Sequence, residues 1–346
     1  RRGVGSTHDV MTLPLVRLLE QTVSMARVQA TATFARLGVA DVLESGPARA
    51  ARLASALDVD AVMLDRLLRF LATQGIVDRK GDTFALTSTS DLLRRNHPDS
   101  VRDWIIFQGS PWQWHAWEAL DDGLASPGTP PFEHAHGRAY FDHLAHDPDA
   151  GATFDAAMEA MSRLQWSLVV EAVDLAGDRV VCDVGGGTGT ALATILQARD
   201  DMRGILLELP AVVERAESVL GQAGVADRVD LVAGDMFARV PPGADTYVLS
   251  AVLHDWPDDH AVAILHRIRE AMGPGGRVLV VEVELPDHDG ASMERAFDLL
   301  MLVLGGGRER TRTEFEQLHA AAGLVLTDDT VLANGWHVHE LRRRPN

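Results

Sequence analysis

Residues 180–196 carry the feature that most narrows the possible folds. Val180, Val181, Cys182, Asp183 and Val184 form a short apolar run interrupted by an acid, and Gly185, Gly186, Gly187, Thr188, Gly189 and Thr190 follow. Ala191, Leu192, Ile195 and Leu196 then recur at helical spacing. This order predicts a strand, a tight glycine turn and a helix, the opening of a nucleotide-binding α/β sheet. Glycines suit such a turn because a backbone without Cβ takes positive φ and lets a ligand approach the main chain. A dinucleotide fingerprint G-x-G-x-x-G would need its third glycine where Thr190 stands. The spacing is D-x-G-x-G-x-G, from Asp183 through Gly185 and Gly187 to Gly189. By itself it leaves other glycine-loop α/β proteins open.

Beyond the loop, strand and helix patterns alternate through residue 285. Segment 204–208 ends in Glu208, segment 229–237 in Gly234, Asp235 and Met236, segment 245–256 in His254 and Asp255, and segment 276–284 carries Glu282. Two closing strands are expected at about 324–332 and 336–343, after a turn of Gly305, Gly306 and Gly307 that precedes Arg308, Glu309 and Arg310. In an open parallel sheet the carboxyl ends of the strands line the ligand crevice, so these polar residues should converge. Glu208 can accept hydrogen bonds from both hydroxyls of a ribose, each charge-assisted bond contributing about 1.5–3 kcal/mol. Asp235 can accept from the exocyclic amine of an adenine, with Met236 packed on the ring. Acids at strand ends also cap helices, but together with the loop these positions describe an adenosyl pocket.

His254 follows the fourth strand into that crevice. A lone histidine is more often structural. A phenol, however, has a pKa of about 10 and stays protonated near neutrality, whereas an imidazole of pKa about 6.5 can take its proton as the oxygen attacks. That assistance contributes a factor of about 10²–10⁴. Glu282 and Glu309 are the candidates to orient the ring and stabilise its cation.

The first part of the chain reads differently. Residues 9–43 carry helical periodicity, 48–57 and 60–73 read as two short helices, and GIVDRKGDTFALT reads as a hairpin, the outline of a winged helix. Such units often bind DNA. Here Val62, Met63, Leu64, Leu67, Leu68, Phe70 and Leu71 surround most of the second helix, so it is expected to be buried on more than one side and to serve dimerisation. Trp104, Trp112, Trp114 and Trp117 form either a packing surface or the wall of a pocket for a flat ligand. His134, His136, His143 and His146 lack carboxylate or cysteine partners at a metal-binding spacing, and no metal is expected. In 154–173, Phe154, Met158, Met161 and Gln165 share one helical face; it is either core or a wall beside the glycine loop.

The formal charge of −18 opposes nucleic acid and anionic membrane as partners. One cysteine, Cys182, supports neither an internal disulfide nor a cysteine-based metal cluster. No apolar run of about 18 residues occurs, and RRGVGSTHDV shows no signal-peptide pattern, so a cytoplasmic protein is expected.

The segments DVGGGTG, LLELP, GDMF, VLHDWPDD, LVVEVELP and GGRERT, in that order, resemble the S-adenosylmethionine (SAM)-dependent small-molecule O-methyltransferases of plants and bacteria, including caffeate, acetylserotonin, anthracycline and naphthoate types. The resemblance covers nearly the whole chain. It implies an α/β, Rossmann-like SAM methyltransferase sheet with a mainly helical N-terminal winged-helix dimerisation domain: 1–100 for dimerisation, 101–175 as helical linker and substrate-pocket segment, 176–346 as SAM-binding catalytic domain. By the same resemblance His254 is the general base and Glu282 and Glu309 its supporting acids. Cofactor contacts fall on Asp183, Gly185, Gly187, Glu208, Gly234, Asp235, Met236 and Ser250, and acceptor contacts on Met158, Asp255, Leu300 and Leu304. S-adenosylhomocysteine would be the product and a homodimer the assembly, with no metal. The chain departs from the pattern in three places. Glu208 stands where aspartate is usual, Leu300 and Leu304 where acetylserotonin-type enzymes are polar, and Ser250 and Ala251 where a basic residue is common. These changes favour a flat, apolar acceptor such as a polycyclic or naphthoate-like phenol. The alternatives are a relative that binds SAM for a hydroxylation-type or pericyclic reaction, and a SAM-sensing DNA-binding regulator.

Overall fold

The computed structural model describes residues 14–344 apart from 289 and 291; the expected helical start at 9–13 lies outside them. The chain's internal contacts divide it after Pro111. Residues 101–111 therefore go with the first unit and 112–175 with the second.

The first unit opens with the helix Pro14–Leu37, and Gly38 (φ 70°) turns the chain into the short helix Val39–Leu43. Helices Ala50–Leu57 and Ala61–Thr73 follow, the second capped by Asp60, whose carboxylate accepts from Met63 N at 2.7 Å. Strands β1 (Ala48–Arg49), β2 (Val77–Lys80) and β3 (Thr83–Leu86) form the wing in the order β1-β3-β2. Phe34, Leu53, Leu64, Leu68, Leu71, Val77 and Phe84 make its core. One expectation is corrected. The helix Ala61–Thr73 buries a single face, Leu64, Leu68 and Leu71, while Val62 and Met63 are 71% and 72% exposed. The rest of this small unit covers one side of the helix, so apolar residues all round it do not mean burial all round.

The second unit is built on a seven-stranded sheet. Its strands are β4 (Val180–Val184), β5 (Arg203–Glu208), β6 (Val229–Ala233), β7 (Thr246–Ser250), β8 (Arg277–Glu282), β11 (Leu324–Val331) and β12 (His337–Arg343). They lie in the order β11-β12-β8-β7-β4-β5-β6. The first five are mutually parallel, and β12 runs antiparallel to β8 and β11. A two-stranded parallel ladder, β9 (Glu284–Leu285) with β10 (Arg310–Thr311), lies beyond β8 in the chain.

Both faces of the central strands are covered. Along β8, Val278 and Val280 enter one apolar core while Leu279 and Val281 enter another, as continuous apolar runs in parallel strands require. The order reverses at β4, whose neighbours β5 and β7 lie to either side, so the glycine loop stands at the topological switch point. Cys182 is buried in β4, where burial and the neighbouring Asp183 push its thiol far up.

The helix leading into β4 is longer than its apolar pattern predicts, running Pro148–Ala172. Asp147 accepts from Asp149 N and Ala150 N at its N-terminus, and Pro148 occupies the first turn, where its missing N–H is no loss. Trp112 lies among Phe132, Tyr140 and His143 with ring centroids 6.2–6.3 Å away, and the His136 and His143 rings are 4.7 Å apart. Among the described residues no helix is long and apolar enough to cross a membrane.

Candidate active site

The loop after β4 holds Gly185, Gly187 and Gly189 at φ 71°, 58° and 83°, a conformation that side chains with Cβ rarely adopt. A Cβ on Gly186 would lie 2.2 Å from Asp183 Oδ2, so the loop folds directly over the carboxyl. Asp183 is 1% exposed, and its Oδ2 makes no hydrogen bond with the described residues. Burial, with Glu208 adding to it, pushes that carboxyl up to about 7. A buried acceptor under an open glycine backbone suits a ligand that brings its own donor, as the amino-acid end of SAM does.

Of the other residues expected to hold the cofactor, Glu208 and Met236 reach this loop. Glu208 Oε1 accepts from Gly187 N at 3.3 Å and Oε2 from Leu209 N at 2.5 Å; burial raises its pKa, and these backbone donors oppose the rise. Gly234 N donates to Glu208 O at 2.9 Å, and a Cβ on Gly234 would meet Leu207 Cδ1 at 3.1 Å. Met236 reaches toward the loop, its Sδ 3.7 Å from where a Gly185 Cβ would stand. Asp235 is exposed, with Oδ1 accepting from Phe237 N at 2.8 Å. Ser250 serves a different bond, accepting from Trp166 Nε1 at 3.2 Å. The site fits SAM: the loop and Asp183 would hold its amino-acid end, and Glu208, Asp235 and Met236 its adenosyl end.

Past β7 the chain makes an uncommon turn. Ala251 has φ 52°, a left-handed conformation costly for a residue with a Cβ. The turn persists because its surroundings hold it. Glu282, 0% exposed, accepts from Val252 N and Leu253 N at 3.0 and 2.7 Å through one oxygen. Arg310, also 0% exposed, donates to Leu253 O and Trp256 O at 2.8 Å and pairs with Asp258. Arg308 N donates to His254 O at 2.8 Å, and a Cβ on Gly307 would lie 2.1 Å from that oxygen. The single turn Leu253–Asp255 is thereby fixed from three sides.

His254 projects from this turn, 13% exposed. Its Nδ1 lies 2.9 Å from Glu309 Oε1 and 3.7 Å from Glu282 Oε2, and its Nε2 lies 3.7 Å from Asp255 Oδ1. Burial would lower the imidazole's pKa, but Glu309, Glu282 and Asp255 outweigh it and raise it to about 10. Burial in turn pushes Glu282 up to about 7 and Asp255 to about 6, with His254 opposing both shifts. Such an arrangement can bind and release a proton at one imidazole edge, with a carboxylate fixing the other.

The structure thus brings His254, Glu282, Glu309 and Asp255 together and gives the two glutamates different contacts. Glu309 hydrogen-bonds the ring; Glu282 uses one oxygen to hold the turn, and its Oε2 makes no hydrogen bond with the described residues but faces Nδ1 at 3.7 Å. Among the expected acceptor residues, Leu300 and Leu304 are buried on one face of the helix Met293–Leu304, and Met158 is half-buried on the helix that also carries Trp166. Sequence reasoning missed Tyr140, whose buried hydroxyl makes no hydrogen bond with the described residues and whose pKa burial and the charge of Asp255 push far up. It also placed Gly307 in a turn that precedes Arg310 and gave neither residue a role; the adjacent glycines and an arginine within GGRERT were the available signal.

Comparison with known proteins gives the family. Residues 117–325 match the family model of the O-methyltransferase domain, and residues 19–96 that of the O-methyltransferase dimerisation domain. The chain is 40% identical over 290 residues to the mitomycin biosynthesis 6-O-methyltransferase of Streptomyces lavendulae, covering 83% of this chain and 82% of that one. The solved structure of LaPhzM superposes with a TM-score of 0.88 at 35% identity, covering 96% of this chain and 100% of that one. The O-methyltransferase NcsB1 from neocarzinostatin biosynthesis, solved with S-adenosyl-L-homocysteine and 1,4-dihydroxy-2-naphthoic acid, superposes at 0.75 with 34% identity, covering 92% and 96%. The chain belongs to the O-methyltransferase family, enzymes that take their methyl group from SAM.

Proposed function

We propose that this O-methyltransferase methylates a phenolic hydroxyl of a flat aromatic metabolite, polycyclic or naphthoate-like, with His254 as general base. The observation that carries the reading is the imidazole itself. Its Nδ1 is held by Glu309 at 2.9 Å, while the nearest ion-pair partner of Nε2 among the described residues is Asp255 at 3.7 Å. SAM, when bound, supplies a methyl group on a cationic sulfur. The protein's part is to seat the acceptor beside it and take the phenolic proton on Nε2, with Glu309 orienting the ring and Glu282 holding the turn that carries it. Burial of Leu300 and Leu304 supports an apolar acceptor, as does the naphthoic acid bound to NcsB1. The dimerisation-domain match supports a homodimer.

Incubation with SAM and a panel of hydroxynaphthoates and polycyclic phenols should add one CH2 unit of mass to an acceptor. His254→Ala should keep SAM affinity within a few-fold and lower turnover at least about 100-fold. Unchanged turnover removes His254 from the mechanism.

A further inference from the structure

We propose a second ligand site, for a divalent transition metal of the zinc class, formed by Glu284, Asp329, His337 and His339. Strand periodicity builds it. His337 and His339 are two apart on β12 and share a face, and the β11–β12 register sets Asp329 directly opposite His339. Glu284 arrives from β9, two residues beyond Glu282, which pairs with His337. One ligand atom from each of the four residues falls within 4.8 Å of all the others.

The spacings suit a small ion. His339 Nε2 lies 2.8 Å from Glu284 Oε1 and 3.8 Å from Asp329 Oδ1, and His337 Nδ1 lies 3.1 Å from Asp329 Oδ1. A tetrahedral ion with ligands at about 2.0–2.2 Å needs edges of about 3.3–3.6 Å, which these distances bracket. Two imidazoles with two carboxylates select a zinc-class ion over magnesium or calcium, which prefer oxygen alone. A cavity of about 330 Å³, lined in part by Glu284, Asp287, His288, Glu294, Arg312 and His337, gives a path in from solvent.

Arg312 is the competitor. Its guanidinium pairs with Asp329 and lies 3.3 Å from Glu284. It also reaches Glu316 at 3.1 Å, a partner it keeps when an ion displaces it from the other two. The cluster is separate from the set His254, Glu282 and Glu309 described above, which also brings three metal-capable groups together.

The test uses the full chain, freed of metal by chelation and titrated with Zn2+ and with Co2+ alone. One ion per chain should bind at micromolar affinity or tighter, and Co2+ should show the intense visible bands of a four-coordinate site. His337→Ala and Asp329→Asn should each weaken binding at least about tenfold, while SAM binding by the same variants reports that they remain folded. Arg312→Gln should tighten it by removing a competing cation. Absence of saturable binding overturns the site. So does binding that survives both ligand substitutions, or binding lost in His254→Ala instead.

Discussion

At Asp183 burial and the Glu208 charge act together on the carboxyl, whereas at His254 burial and the surrounding carboxylates oppose each other. The Asp183 carboxyl is raised from the ordinary 3.8 to about 7. An acid raised on folding contributes stability below its unfolded pKa and loses it as pH climbs through the folded value. Asp183→Asn should therefore melt higher than the parent at pH 8 and equally at pH 3, in the absence of ligand, yet bind SAM at least about tenfold more weakly because a charged acceptor is gone. Calorimetry at the two pH values and a SAM titration check both halves. His254 is raised by its three carboxylates to about 10, and a base must be neutral to act. Turnover should rise with pH through the neutral range toward that value. Glu309→Gln removes one of the raising charges, so the inflection should move to lower pH by about one unit or more. The phenol, itself ionising at about 10, would not respond to that substitution. An inflection that stays in place would assign the limb to the acceptor.

The elements that deliver these residues were legible to different degrees. The strand–glycine turn–helix unit was plain because φ demand and hydrophobic period coincide there: the predicted strand is β4, and Thr190–Ala198 is the predicted helix. The carboxyl-end convergence also followed from alternation alone, since Glu208 and Glu282 end their strands and His254 sits one turn past β7. Long-range bonds were not legible. No local pattern says that Glu282 will accept from Val252 and Leu253, or that Arg310 will hold Leu253 and Trp256, because both depend on chain segments about 30 and 55 residues apart closing on one turn. The long helix start was missed for a simpler reason: Asp147 and Pro148 signal it, but apolar periodicity begins later. Gly307 belongs to this scale. With a Cβ meeting His254 O at 2.1 Å, Gly307→Ala should displace the turn and lower kcat by about tenfold or more while SAM affinity stays within a few-fold. Equal losses in both would mean general unfolding instead.

For the molecule as a whole, the open, mainly parallel sheet with its two closing strands and the winged-helix unit agree with expectation. The sequence predicts the helix Ala61–Thr73 to be buried on more than one side and to serve dimerisation; in the single chain its Val62 and Met63 are exposed, as are Leu15, Leu18, Leu19 and Met25 on Pro14–Leu37. Apolar side chains exposed in such number on a dimerisation domain are what a second copy would cover. Sedimentation should give twice the 37.5 kDa chain mass, and Leu18→Asp with Met63→Asp should shift the protein toward monomer. The most direct test of the proposed chemistry is a crystal structure with S-adenosylhomocysteine and a methylatable hydroxynaphthoate bound. It should show the acceptor hydroxyl about 2.6–3.2 Å from His254 Nε2 with the Glu309 bond kept. A hydroxyl seated against another group, or an imidazole turned away from the acceptor, would contradict His254 as the base.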